Sequence, residues 1–197
     1  MKTVKVLVAA SRAAALLAGC GSKTDTDTFR FASELDIQGM DSTVVDDGMS
    51  FNAVHAITDG LTAVNEKGKT APAIAKSWDV SDDGKTYTFH LRDAKWSNGD
   101  KVTANDFVYS WRKIIKNAGN YAYMLGSEGA SVKNADALME LGTNATDEQM
   151  ATLGVTAKDD KTLVVELENK VPYFTDLMAF PCYFPQNEKF VEKCGKN

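Results

Sequence analysis

The run from Trp78 to Leu91 constrains the fold most. Trp78 and Val80 lead into Ser81-Asp82-Asp83-Gly84, after which Tyr87, Phe89 and Leu91 alternate with Thr86, Thr88 and His90. An Asp-Gly pair between alternating runs predicts a β-hairpin, because the turn needs a residue that tolerates φ > 0. A second hairpin is expected at Val155 to Ala157 and Thr162 to Leu167, around Asp159-Asp160-Lys161. Thr103, with Asp106 three residues on, predicts a capped helix from about Ala104 to Lys116. Phe107, Val108, Trp111, Ile114 and Ile115 give it a wide apolar stripe.

Weaker signals fill the rest. Phe29 and Phe31 suggest a strand, residues 35–50 a loop, and Phe51 to Ile57 an amphipathic helix ending near Asp59-Gly60. Leu61 to Val64 reads as a strand before a turn at Asn65 to Gly68. Ala71 to Ala75 reads as one helical turn with Pro72 near its start. Trp96 to Asp100 is a turn. Ala135 to Leu141, Thr146 to Leu153 and Pro172 to Phe180 carry helical patterns, and Pro181 to Pro185 is expected to be extended. Strands and helices alternate without a regular βαβ rhythm, which predicts a mixed α/β fold.

The first 19 residues carry Lys2, Lys5 and Arg12 and no acid, then an Ala- and Leu-rich run that ends at Gly19-Cys20. This is the layout of a secretory signal, and the apolar run is too short to span a bilayer. Leu17-Ala18-Gly19-Cys20 resembles a bacterial lipobox, with Cys20 the lipidated residue. Residues 20–28 are small and polar and read as a flexible tether.

Several chemistries are disfavoured. The net charge of −5 and the lack of a basic cluster argue against nucleic acid. His55 and His90 cannot hold a metal alone. Asp79, Ser81, Asp83 and Gly84 match the front of a calcium loop, but the twelfth position is His90 instead of a bidentate carboxylate. The pairs Asp46-Asp47, Asp82-Asp83 and Asp159-Asp160 fall in expected loops, where Asp is favoured for backbone reasons. No nucleophile elbow or phosphate loop is present. Neither an enzyme nor a cofactor is expected, and a cell-wall hydrolase is the weakest alternative. Cys182 and Cys194 could pair in an oxidising compartment or remain one buried and one exposed thiol; a designed disulfide is the weaker reading, since a chain of this size needs no staple. Tyr121 and Tyr123, after the loop-like Asn117 to Asn120, pair an apolar body with a polar tip and suit a cleft wall, although composition alone favours ordinary half-buried tyrosines.

Ala71 to Trp78, Ser81 to Arg92, Lys95 to Asp100 and Val102 to Trp111 closely resemble the solute-binding lipoproteins of oligopeptide ABC transporters, the family 5 extracellular solute-binding proteins. Thr162 to Leu167 with Val171 to Phe174, and Asp59-Gly60-Leu61, resemble further landmarks. The resemblance implies a type II periplasmic-binding-protein-like α/β fold, represented by part of lobe one and an extra subdomain, with the second lobe absent. It implies residues 29–64 in lobe one, 65–180 in the extra subdomain, and 181–197 returning towards lobe one. It further implies a lipid-anchored, extracytoplasmic receptor that captures oligopeptides and delivers them to permease subunits. Asp46, Asp47 and Gly48 lie where the family lines its cleft, and the segment with Tyr121 and Tyr123 corresponds to one that offers a tyrosine to the peptide. The alternative expectation is a truncated remnant that is anchored but binds no peptide.

Overall fold

A computed structural model describes residues 32–33 and 35–194. The expected signal sequence over 1–19, the expected lipidation at Cys20, the expected tether over 20–28 and the strand expected at Phe29 and Phe31 lie outside the described residues. The chain divides into two units between Glu34 and Leu35, and all the secondary structure described lies in the second.

The main sheet grows from the two hairpins. Strands β3 (Ala75–Val80) and β4 (Thr86–Leu91) form the first, and β5 (Val155–Asp159) and β6 (Thr162–Glu166) the second. They combine in the order β3-β4-β6-β5, with every neighbour antiparallel. Tyr87 lies opposite Val165 and Phe89 opposite Leu163, so the buried face is a ladder of cross-strand apolar pairs. The turn between β3 and β4 depends on Gly84 at φ 71, where a Cβ would be strained and would also meet the Lys170 side chain. Ser81 and Asp83 complete that turn by accepting from the amides of Thr86 and Lys85, so the calcium-like spacing serves the turn.

Helix α2 (Ala104–Lys116) packs on this sheet against β5 and β6. Its bounds are those the sequence predicts. At its N-terminus the Thr103 amide donates to the Asp106 carboxylate at 2.7 Å. Its apolar stripe is buried, with Phe107, Trp111, Ile114 and Ile115 fully inaccessible. Ahead of it come α1 (Gly48–Ile57) and a small antiparallel sheet of β1 (Thr62–Val64) and β2 (Thr70–Pro72). After it come α3 (Ala135–Leu141), the single turn α4 (Asp147–Met150), the single turn α5 (Phe174–Leu177) and α6 (Glu188–Cys194).

Three expectations are corrected. The helical turn at Ala71 to Ala75 is instead the end of β2 and the start of β3. The amides of Ala73 and Ala75 both donate to the Leu61 carbonyl, so pairing overrides local helix preference, and Pro72 sits at a strand end where its missing N–H costs little. Residues 181–183 are not extended but form a 3-10 turn, which Pro181 opens with its preset φ. Residues 172–180 hold only one helical turn, α5.

The segment from Pro181 to Gln186 is fastened to α2 along its length. The Trp111 indole N–H donates to the Tyr183 carbonyl at 3.0 Å, the Ser110 hydroxyl to the Phe184 carbonyl at 2.7 Å, and the Gln186 amide to the Asp106 carbonyl at 3.1 Å. Cys182 is buried there and Cys194 exposed, and both are free thiols. Burial pushes the Cys182 thiol and the Tyr183 phenol well above their ordinary ranges.

Candidate functional site

The loop before α1 and the loop after α2 were each expected to line a ligand cleft, and the fold brings them together. Asp47 caps α1 by accepting from the Ser50 amide at 2.9 Å, which starts the helix three residues earlier than its apolar spacing suggests. Hydrogen bonding from Ser50, its hydroxyl first and then the capping amide, holds the Asp47 carboxyl below the usual carboxylate range. Gly48 is the first residue of α1, and nothing lies within 4 Å of the place a Cβ would take. A side chain would therefore fit there. Asp46 is exposed, and the Asn120 side-chain amide donates to its carboxylate.

Tyr121 is half-buried, with its ring edge-on to Phe51 of α1 at 5.1 Å and tilted against Phe180 at 5.4 Å. Phe51 and Phe180 are themselves 5.1 Å apart. Tyr123 stacks on Tyr121 at 5.9 Å and is 43% exposed. The two tyrosines therefore do different things. Tyr121 builds the cluster, and Tyr123 presents a ring and a hydroxyl to solvent. Next to them the Tyr183 hydroxyl donates to the Met124 carbonyl at 2.5 Å and pins the segment Ala122–Leu125.

The loops meet closely because of Gly119. A Cβ at that position would clash with the Thr43 carbonyl and the Ile114 side chain. Behind this contact lies a polar network. Asp41 accepts from Lys113 Nζ at 2.6 Å, from Gln186 Nε2 at 2.6 Å and from the Thr43 amide and hydroxyl at 3.0 and 2.7 Å. Burial opposes the Asp41 charge, but the bonds from Lys113, Thr43 and Gln186 outweigh it and hold the carboxyl below its ordinary value.

The other candidates are scattered. His55 packs edge-on to Phe184 at 5.2 Å, and burial lowers its pKa. His90 pairs with Asp79 at 2.7 Å on the sheet surface. Among the described residues no group of three or more His, Cys, Asp or Glu side chains comes together as a metal site. A groove of about 200 Å³ runs between His55, Asp59, Val64 and Phe184. It is smaller than the ~300–1,000 Å³ usual for small-molecule sites, and neither Asp46 nor Tyr121 lines it. No helix among the described residues is long and apolar enough to cross a membrane.

The profile described as "Bacterial extracellular solute-binding proteins, family 5 Middle" matches residues 69–196. The chain belongs to this family. Among other family 5 binding proteins, the dipeptide-binding protein of Lactococcus lactis subsp. cremoris is 41% identical over 185 residues, covering 92% of this chain and 32% of that protein. The oligopeptide-binding protein OppA of Bacillus subtilis is 42% identical over 156 residues, covering 78% and 27%. Among solved structures, the substrate-binding domain of an oligopeptide ABC transporter from Bacillus anthracis matches with TM-score 0.77 at 41% identity, covering 84% of this chain and 31% of that one. Listeria monocytogenes OppA bound to peptide matches with TM-score 0.71 at 41% identity, covering 79% and 30%. The chain thus spans about a third of the length of these relatives. The structure is accordingly the mixed α/β fold of the family 5 binding proteins over part of its extent.

Sequence reasoning passed over Asn120, Phe180, Gln186 and the pairing of Asp41 with Lys113. Asn120 lay in a stretch read only as a loop, and Phe180 and Gln186 reach the site through contacts that no local pattern encodes. Phe51 was legible as a member of an apolar helix face but not as the partner of Tyr121.

Proposed function

We propose that this chain is part of the substrate-binding component of an ABC importer, which captures oligopeptides outside the cytoplasm and delivers them to permease subunits. The observation that carries the reading is the meeting of the two expected ligand loops, through the Asn120–Asp46 hydrogen bond and the packing of Phe51 on Tyr121. Extended peptides are held mainly through backbone hydrogen bonds, with side chains resting on tolerant surfaces. A wall of aromatic rings with polar tips suits that task. Asp46, Asp47, Gly48, Tyr121 and Tyr123 are the proposed lining, with Asp47 contributing through the turn it caps. The peptide-binding and dipeptide-binding names of the relatives support the same substrate class.

The proposed organisation is a signal sequence over 1–19, a tether over 20–28, the N-terminal part of lobe one over 29–64, an extra subdomain over 65–180 and a return towards lobe one over 181–197. Lipid on Cys20 would anchor the chain. Cys20→Ser should then move it from the membrane fraction to the soluble fraction, and retention in the membrane fraction would count against lipidation.

The test of peptide capture is a titration of the full chain with trialanine, followed by fluorine NMR of incorporated fluorotyrosine. Tyr121→Phe and Tyr123→Phe assign the two resonances. A saturable shift at either, with affinity on the order of millimolar for a single open wall, is the expected result. A folded chain whose tyrosine resonances never respond would point to the second reading, an anchored remnant that binds no peptide.

A further inference from the structure

The proposed peptide wall draws on three stretches of chain that are distant in sequence. Asp46 comes from the loop before α1 and Phe51 from α1 itself, Asn120 and Tyr121 from the loop after α2, and Phe180 from the segment that runs on to Gln186. One residue from each stretch also enters the polar network behind the wall. Asp41 comes from the first, Lys113 from the second and Gln186 from the third. Their bonds close a triangle: Lys113 Nζ to the Asp41 carboxylate at 2.6 Å, Gln186 Nε2 to the same carboxylate at 2.6 Å, and Lys113 Nζ to Gln186 Oε1 at 2.8 Å.

Resting on the peptide-binding reading, we infer that Asp41, Lys113 and Gln186 are positioning residues that fix the three strips of the wall relative to one another and thereby set peptide affinity without touching the ligand. A single exposed ion pair would be too weak for this. Here the Lys113 side chain is only 15% exposed, against 33–48% for the lysines of the other ion pairs. Each member of the triangle bonds to both others, so removing one leaves two half-buried polar groups short of a partner. Thr43 and Ser42 brace it from the first strip: Thr43 bonds Asp41, and the Ser42 hydroxyl accepts from Gln186 at 3.3 Å. Two further links between the first and second strips, Asn120 to Asp46 and the Gly119 contact with Thr43, lie between the triangle and the aromatic rings in sequence. A shift at the triangle is therefore passed to the wall over short chain offsets, five positions from Asp41 to Asp46, six from Gln186 to Phe180 and eight from Lys113 to Tyr121.

The experiment uses the full chain labelled with fluorotyrosine, as Lys113→Met, Gln186→Leu, Lys113→Arg and the control Lys133→Met. The control breaks the Lys133–Glu166 ion pair, 3.1 Å long and on the β6 side of the molecule. Spectra are recorded first without ligand and then against trialanine, at a temperature where circular dichroism shows each variant folded. Lys113→Met and Gln186→Leu should displace the Tyr121 resonance before any peptide is added and weaken the peptide response about threefold or more. Lys113→Arg, which keeps charge and donors, should restore most of both, and Lys133→Met should change neither. A purely stabilising triangle would lower the melting temperature and leave the folded-state spectrum and affinity alone, and that result overturns the inference. If Lys113→Met fails to fold, Gln186→Leu against Lys113→Arg decides by the same two readouts. If the unaltered chain shows no peptide response, the peptide reading falls, and the ligand-free Tyr121 resonance still decides whether the triangle positions the wall.

Discussion

Asn120 donates its side-chain amide to the Asp46 carboxylate, joining two loops 74 residues apart in sequence. Both partners are exposed, so the bond orients more than it stabilises. Asn120→Ala should lower stability by only about 0.5 kcal/mol. It should nonetheless broaden or move the Tyr121 fluorine resonance, because Asn120 is the residue that ties Tyr121's loop to Asp46. An unchanged resonance would mean that the aromatic contacts alone set the loop.

Tyr121 and Tyr123 should separate cleanly under substitution. Tyr121→Ala removes ring contacts with Phe51, Phe180 and Tyr123 and should cost about 2–3 kcal/mol in urea unfolding. Tyr123→Ala removes one stacked ring that already faces solvent and should cost about 0.5 kcal/mol or less. Peptide response should fall in both. Equal stability losses would contradict the division between a building ring and a presenting ring.

Much of the fold was legible because its signals are local. The stripe from Phe107 to Ile115 and the Thr103–Asp106 cap give α2 its observed bounds, and Gly84 gives the first hairpin its turn. The failures share one cause. Ala71 to Ala75 has the composition of a helix start, but the Leu61 carbonyl takes two of its amides and makes it strand. The start of α1 at Gly48, ahead of its apolar face, is likewise set by a contact outside that face, the bond from the Ser50 amide to the Asp47 carboxylate. The candidate site was half legible for the same reason. Asp46 enters only through the family resemblance, and the two tyrosines through that and their amphipathic side chains, whereas Phe180 and Gln186 join them only through the fastening of the 181–186 segment on α2.

Gly119→Ala tests the closeness of the loops directly. The added methyl would run into the Thr43 carbonyl, which belongs to backbone and cannot swing aside. The expected cost is about 1–3 kcal/mol, as for overpacking elsewhere, with a displaced Tyr121 resonance. Gly48→Ala is the matched control: a Cβ there meets nothing, and a first-turn Ala should leave stability the same or slightly higher. A neutral Gly119→Ala would show that the loops do not need their observed approach.

Acid should act on Asp41 and Asp106 with opposite signs. Asp41 is held below its ordinary 3.8 because bonds from Lys113, Thr43 and Gln186 outweigh burial. Its folded pKa is thus below its unfolded one, so its stabilisation is present above about pH 4 and lost as pH falls through the folded value. Asp106 is raised above 3.8, because burial outweighs the bonds it accepts from Thr103 and Trp96. Its contribution is present below the unfolded pKa and is lost as pH rises through the folded value. Urea unfolding between about pH 3 and pH 6 separates the two. Asp41→Asn should flatten the loss of stability towards acid, and Asp106→Asn should steepen it, whatever constant offset each substitution adds. Parallel profiles for Asp41→Asn and the unaltered chain would mean that Lys113 and Gln186 do not hold the Asp41 charge in solution.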